Sequence, residues 1–570
     1  MENVEKIQFD EPSKFVQIHL PTGEVISGPR GSEVGDLLKP IIKEESIPIL
    51  GAIINGKLSE LSHCIDIESN VTPVTMSMAD GMRIYRRSLT LLLEAAFEEL
   101  YPDFAINIDH SVSFGGYYCQ VKGPKPLLAE DINKLDLRMK QLVKEDQPII
   151  KKEVPLDEVI EYFKEKGYQD KVRLLKHRRK DYLVLYFLGE HRDYHHGYMV
   201  PSTSYLKWFE LEAIDNGFTL RFPRRHKPTE IMPLGDYPKL LHTFRQYGDW
   251  LERLGIQSVG SLNDAVKDGR IREVILVSEA LHEQQIAEMA ASIAARKETR
   301  VVLIAGPSSS GKTTTSRRLS VQLLSQGLQP YPLEMDNFFV DRDKTPKDES
   351  GEFNFEHIDA IARPRLNHDL KKLINAQEVQ LPHYDFHTGK SNPGEMVKLG
   401  EDQVVIVEGI HGLNPDLIGD IPEEQVFRIY ISALTQLNLD RHNRVSTTDT
   451  RLIRRIVRDA KSRGYSPQQT IQRWESVRKG EKNYIFPYQE NADIMFNSAL
   501  VYELSVLKRL AEPLLRQVPF GTPEHLEVKR LLALLEWFLP LDGNWIPDNS
   551  LLREFIGGSI LKDFKLWRQS

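Results

Sequence analysis

The residues from Gly306 to Thr313 carry the first recognisable chemistry in this sequence. Gly306, Pro307, Ser308, Ser309, Ser310, Gly311, Lys312 and Thr313 fit G-x-x-x-x-G-K-[ST] at every defined position, with Thr314 next in line. Glycines let the backbone curl until several N–H groups point at one phosphate. A helix beginning here adds partial positive charge at its N-terminus. Lys312 is expected to reach the β- and γ-phosphates, and the Thr313 hydroxyl to ligate Mg²⁺. The pattern assigns nucleoside triphosphate binding. It leaves open what receives the phosphate.

Two further groups suit transfer of that phosphate. Asp336 stands at the end of an apolar run from Tyr331 to Met335. A carboxylate at the carboxyl end of a strand beside the phosphate loop can accept the proton of an attacking hydroxyl. In DTRLIRRIVRDAKSRG, Arg451, Arg455 and Arg458 follow i, i+4, i+7 spacing and share one helical face, with Arg454 alongside. Such a face, closed over a triphosphate, would stabilise the charge on a transferring phosphoryl group.

These groups need elements to hold them. Val301 to Ile304 read as a buried strand entering the loop. A helix should follow, with Leu319, Leu323 and Leu324 on its inner face and Gly327 as its stop. The runs from Gln425 and from Ala492 read as further strands of a parallel sheet, and the chain beyond Ala499 as helical. The segment DNSLLREFIGGS is read as a docking segment; a reach of its Arg553 and Glu554 to the active site is the less favoured alternative.

Composition limits the rest. The chain has 570 residues, which calls for several domains. It is 41% hydrophobic and 27% charged, with a net charge of −8, which argues against a strongly basic nucleic-acid binder. Cys64 and Cys119 make neither a disulfide framework nor a Cys-based zinc motif. The N-terminus lacks an apolar signal core, and no apolar run approaches the ~18 residues of a membrane span. The expectation is a cytoplasmic protein with no membrane partner.

MDNFFV, GEFNFEHIDA, LPHYDFHTGK, VVIVEGIHGL and the arginine helix occur in that order over roughly residues 300 to 500. This series resembles the uridine kinase branch of the uridine kinase/phosphoribulokinase family of P-loop kinases. The resemblance implies an ATP- and Mg²⁺-dependent transfer of the γ-phosphoryl group to the 5′-hydroxyl of a pyrimidine nucleoside. It makes Asp336 the catalytic base and Glu408 the carboxylate that holds Mg²⁺ with Thr313. Tyr384 becomes a nucleoside contact, and Arg463 joins the lid arginines. Two departures stand out. The family's N-F-D-H is Asn354-Phe355-Glu356-His357 here, so Glu356 keeps the charge that grips hydroxyls but extends its reach by one methylene. After YDF the run is His387-Thr388-Gly389-Lys390, so His387 or Lys390 stands in for the usual His and Arg. Another nucleoside or a sugar phosphate therefore remains a rival acceptor.

The first third carries a different likeness. FVQIHLPTGEVI reads as a hairpin, SEVGDLLKPII as a short helix capped by Ser32, and ILGAIINGKLSEL as two strands about an Asn55-Gly56 turn. With ADGMRIYRRS closing it, this unit resembles the β-grasp TGS module of threonyl-tRNA synthetase. RRSLTLLLEAAFEELYPD, a strand-like run ending in SFGGYY, and HHGYMVPSTSYLKWFEL then resemble the second, editing and zinc-binding domain of threonyl- and alanyl-tRNA synthetases. Laid on this chain, that family's His-x-x-x-His pair becomes Arg87 and Leu91, and its Cys and His become His195 and Met199. Leu91 cannot ligate a metal or act as a base and Arg87 would repel a cation, so the editing hydrolase reading fails on chemistry. His191, His195 and His196 are read as solvated or structural. Arg221, Arg224, Arg225, His226 and Lys227 are read as a solvated surface rather than a nucleic-acid site.

The expected fold class is α/β: a P-loop kinase domain with a mainly parallel sheet, preceded by a TGS-like β-grasp domain and an α+β synthetase-editing-like domain. The expected boundaries are 1–80, 81–223, a helical connector 224–297, the kinase domain 298–500 and a helical extension 501–570. The expected partner is a nucleoside or a related hydroxyl acceptor. RNA contact through the N-terminal modules, an NTP-switched regulatory role at RNA or the ribosome, and homo-oligomer formation stay open.

Overall fold

A computed structural model describes residues 13–43, 47–112, 115–214, 217–233, 235–348, 351–400, 402–419 and 421–562. The Ser113–Phe114 part of SFGGYY lies outside them. The chain divides into two compact units. One contains residues 1–235, 441–444 and 519–530; the other contains 236–440, 445–518 and 531–570. Among the described residues no helix is long and apolar enough to cross a membrane.

The first unit opens on a five-stranded mixed sheet. Phe15–His19 pairs antiparallel with Val25–Pro29 and parallel with Ser69–Thr75, and the latter pairs antiparallel with Ile49–Ile54. Ile49–Ile54 turns back into Lys57–Ser59 through Asn55 and Gly56, whose φ values of 47° and 78° are those of a tight hairpin turn. Ser32 is not a helix cap. It pairs with Ile65 in a two-residue strand, and the short helix Val34–Leu38 starts after Glu33 without a side-chain cap.

The helix Ala79–Leu100 begins several residues before the predicted start and is buried along much of its length, including Leu89, Leu91, Leu92 and Leu93. It packs in one core with strands Ala105–Ser111 and Gly116–Lys122 and with Met199, Val200 and Phe218. Leu91 and Met199, two of the four family ligand positions, are thus core residues at 0% and 2% exposure. Arg87 instead donates to the Tyr198 carbonyl at 3.1 Å, and burial lowers its pKa to about 10.

The second unit is built on a sheet of five parallel strands. Their order is Gln329–Glu334, Gln403–Glu408, Val301–Ala305, Val426–Ser432 and Ile494–Asn497. All four neighbour pairs are parallel. Val301 to Ala305 is buried at every residue, as a central strand covered on both faces must be. The helices Pro238–Leu254, Val259–Lys267 and Ile271–Ala295, expected as a connector, belong to this unit through buried Val259, Leu262, Val274, Ile286 and Met289. The helix after the phosphate loop, Lys312–Ser325, buries Leu319 and Leu323 as expected, but Leu324 faces solvent. Gly327 follows its end at φ 84°, where a side chain would be strained.

Candidate functional site

The crossover order of the sheet places the carboxyl ends of Val301–Ala305, Gln329–Glu334 and Gln403–Glu408 side by side, and in open parallel sheets that edge is where ligands sit. The loop Gly306–Gly311 leaves the first of these strands. Gly306 has no room for a side chain, because an added Cβ would stand 2.0 Å from the Ile431 carbonyl oxygen. Ser309 and Gly311 take φ of 59° and 89°, which turns successive backbone N–H groups into one concavity. Lys312 folds back over the loop and donates to the carbonyls of Gly306 and Pro307 at 3.0 and 3.3 Å.

One carboxyl group, Glu408, contacts the start of the helix after this loop, and two others, Asp336 and Glu356, lie within the field of Lys312. Glu408 ends its strand in register with Ile304, and its Oε1 accepts from Thr313 Oγ1 at 2.6 Å. Burial pushes its pKa to about 7, against the pull of Lys312 and the Thr313 hydrogen bond. Asp336 sits just past the neighbouring strand, open to the cleft. The protein around it raises its pKa, while the charge of Lys312 opposes the shift. Glu356 is half-buried; desolvation and the nearby Glu481 raise its pKa to about 7, and Arg455 and Lys312 pull the other way. Asp336, Glu356, Glu408 and Lys312 thus form one electrostatic group.

The arginine helix, Thr447–Ser462, reaches the loop with a different set than its spacing suggests. Arg451 donates through Nε to the Ser308 carbonyl at 2.8 Å and pairs with Glu481. Arg455 Nη1 donates to Ser308 Oγ at 2.7 Å. Arg454, buried, contacts the Ser309 carbonyl at 3.4 Å while paired with Glu503 at 2.5 Å. Arg458 turns to Asp459 at 2.9 Å rather than to the loop. Arg463 caps the helix, half-exposed, 3.7 Å from Asp459 and within the field of Asp336.

Tyr384 is buried with its ring 5.5 Å from that of Phe339, and its hydroxyl has no hydrogen-bond partner among the described residues. An orphaned buried hydroxyl is what a site for a polar ligand presents before the ligand arrives. His387 is exposed in the turn between strands Val379–Asp385 and Lys390–Val397, its amide on Asp385 at 2.8 Å. Lys390, the other candidate in that run, is paired with Asp343 at 3.3 Å.

Two residues outside the expected set reach the loop: Glu481, which was not anticipated, and Glu554, whose reach was the less favoured alternative. Glu481, on the helix Pro467–Tyr484, accepts from the Ser308 amide at 3.0 Å. Glu554, in the C-terminal segment, accepts from Thr314 N at 3.3 Å and Thr314 Oγ1 at 2.8 Å. Leu551 of the same segment lies against Gly311, and Ser550 donates to buried Glu279 at 2.5 Å. The docking segment therefore does reach the phosphate loop. Both carboxylates rest on donors suited to phosphate oxygens, which shows that the loop already stabilises anions.

Residues 301–505 match the model of the phosphoribulokinase/uridine kinase family. Over 205 residues the chain is 33% identical to threonine–tRNA ligase of Burkholderia lata, a match that covers 36% of this chain and 32% of the ligase. The corresponding ligase of Paraburkholderia xenovorans is 32% identical over the same shares. The chain thus spans about a third of the length of these curated relatives. Among solved structures, that of a possible uridine kinase from Bacillus stearothermophilus covers 37% of this chain and 97% of its own at 21% identity and a TM-score of 0.27. D-glycerate 3-kinase from Cryptococcus neoformans covers 37% and 89% at 18% identity and a TM-score of 0.28.

Proposed function

We propose that the second unit is an ATP-dependent kinase that transfers the γ-phosphoryl group to a hydroxyl, with the 5′-hydroxyl of a pyrimidine nucleoside as acceptor. The observation that carries this reading is the joint placement of Asp336, Lys312 and the Thr313–Glu408 pair at one edge of a parallel sheet. The loop amides and Lys312 hold the phosphates. Thr313 and Glu408 offer the hard oxygen donors that suit Mg²⁺, which when bound would neutralise phosphate charge. Asp336 accepts the proton of the acceptor hydroxyl as the oxygen–phosphorus bond forms and the β,γ-bridging bond breaks, releasing ADP. Arg451 and Arg455 stabilise charge on the group in flight. Glu356 and the Tyr384 hydroxyl bind the acceptor.

The test is ADP release with a panel of nucleosides and sugar phosphates. Turnover of uridine or cytidine supports the nucleoside version. Turnover of other acceptors alone shifts the reading to a kinase for another nucleoside or a sugar phosphate.

The position of Glu356 gives a pH dependence. With a pKa of about 7 it is neutral below that pH and anionic above it. An anion grips hydroxyls better, so KM for the acceptor should fall as pH rises through about 7, and Glu356→Gln should flatten that trend with kcat less affected. The folded chain holds this proton where a free glutamate, near 4.5, has lost it. The unliganded protein should therefore lose stability from this group as pH rises between those values, measured by denaturant titration.

A second reading is favoured by the ligase-like region together with Glu554 and Glu481 on the loop amides: an NTP-switched regulator that contacts RNA. Tight binding of tRNA by the full-length protein, steeply salt-dependent and altered by ATP, would support it.

A further inference from the structure

The first unit holds a cluster of buried ionisable groups that the proposed kinase chemistry does not use. Its centre is Glu94, 2% exposed on the helix Ala79–Leu100. Around its carboxylate stand three imidazoles: His191 Nε2 at 3.3 Å, His195 Nε2 at 3.4 Å and His442 Nδ1 at 3.5 Å. Asp193 Oδ2 lies 2.7 Å from the same His442 nitrogen. His191 and His195 are buried, not solvated, and the convergent partners missing from the sequence are Glu94, Asp193 and His442.

We propose that Glu94, Asp193 and His442 bind a divalent transition-metal ion of the zinc type, with His191 or His195 as the fourth donor. The three primary donors offer ligand atoms that lie within 4.8 Å of one another. A tetrahedral ion with bonds of about 2.0–2.1 Å sets neighbouring donor atoms about 3.3 Å apart. The three contacts to Glu94 have that spacing and are longer than the ~2.7–2.9 Å of a charge-assisted hydrogen bond. Glu94 Oε1 and His195 Nε2 face each other with no hydrogen-bond partner for either, which is costly for buried groups unless a cation lies between them. The His442–Asp193 contact must open by about 0.6 Å to become a ligand edge.

The surroundings orient these donors. Glu98 Oε2 lies 2.6 Å from His191 Nδ1, so in a neutral His191 it would hold the N–H there and leave the Nε2 lone pair to the ion. Asp193 Oδ1 accepts from Lys171 Nζ at 3.0 Å and from the Tyr194 amide at 2.7 Å, which leaves Oδ2 for the site. Glu94, Glu98 and Asp193 face Lys171 and Lys166, so with neutral imidazoles one negative charge remains for a cation to offset. Imidazole and carboxylate without thiolate suit zinc and its first-row neighbours. Of the four ligand positions in the synthetase resemblance, Arg87, Leu91 and Met199 supply no ligand, and His195 alone is a candidate donor here; Glu94, Asp193, His442 and His191 lie outside that set. The rival occupant is a proton on His191 that holds Glu94 and Glu98 together.

The test uses untagged full-length protein, loaded with Zn²⁺ and gel-filtered, with metal measured by mass spectrometry. About one equivalent is expected, with none retained by the double variant Glu94→Gln, His442→Asn. Because that variant could misfold, wild-type protein is also loaded with Co²⁺, whose visible bands report tetrahedral coordination, and melted with and without chelator. Expected are tetrahedral bands and a chelator-dependent fall in Tm. Zinc retained equally by both proteins, or no zinc, no bands and no chelator effect in the wild type, would overturn the site in favour of the proton.

Discussion

Asp336→Asn should lower kcat roughly 10²- to 10⁴-fold, the usual range for loss of a positioned general base. Nucleotide affinity should change little, because Asp336 stands two strand-ends away from the loop amides, past Gln329–Glu334 and beyond Gln403–Glu408. The substitution preserves shape and removes only the ability to take a proton. It also removes a negative charge from the group around Lys312, so a slight gain in ATP affinity is compatible with the assignment. Phosphoryl transfer at the wild-type rate in Asp336→Asn would end the role proposed for this carboxylate. Loss of ATP binding together with activity would instead mean that Asp336 holds the loop.

Glu554→Ala should tighten nucleotide binding. In the unliganded chain its carboxylate takes both the amide and the hydroxyl of Thr314, at the start of the helix whose N-terminus favours anions. A phosphate oxygen reaching those donors must displace it. Hydrogen bonds to a charged group contribute about 1.5–3 kcal/mol, so removing the competitor should lower the ATP Kd by roughly 10- to 100-fold. The segment should stay docked, since Leu551, Leu552 and Phe555 are each fully buried. Calorimetric titration with ATP reads the effect directly. An unchanged or weaker Kd would mean that Glu554 and the triphosphate do not compete.

What the sequence revealed of this site was local. Gly306 to Thr313 and the strand before them are contiguous, so backbone geometry and motif travel together. Asp336 and Glu408 were legible because each ends an apolar run that had to be a strand. Glu481 was hidden, and Glu554 was legible only as a less favoured alternative, because they meet the loop from 173 and 240 positions away and nothing in their own neighbourhoods marks a phosphate donor as partner. The arginine helix shows the same limit. Its spacing put Arg458 with Arg451 and Arg455, but Asp459 next door captures Arg458, while Arg454 turns inward to Glu503. In the N-terminal third, Ser32 looked like a cap because cap chemistry is local, yet Ile65 recruited it into a strand. The histidines read as solvated or structural for the same reason: Glu94 lies 97 positions from His191, and His442 lies 249 from Asp193.

The first unit is assembled from pieces that are not continuous in the chain, and this sets an order on its synthesis. Residues 1–235 leave the ribosome first, but His442 and Glu527 come much later. At about 5–20 residues per second, Arg83 waits roughly 20–90 s before Glu527, its 3.0 Å partner, has been made. Asp193 likewise waits for His442. During that interval Arg83 has Asp80 at 2.8 Å but lacks Glu527, and Asp193 has Lys171 at 3.0 Å but lacks His442. Completion of this unit is thus tied to translation of most of the second unit, and a chain stopped before residue 519 leaves Arg83 without Glu527.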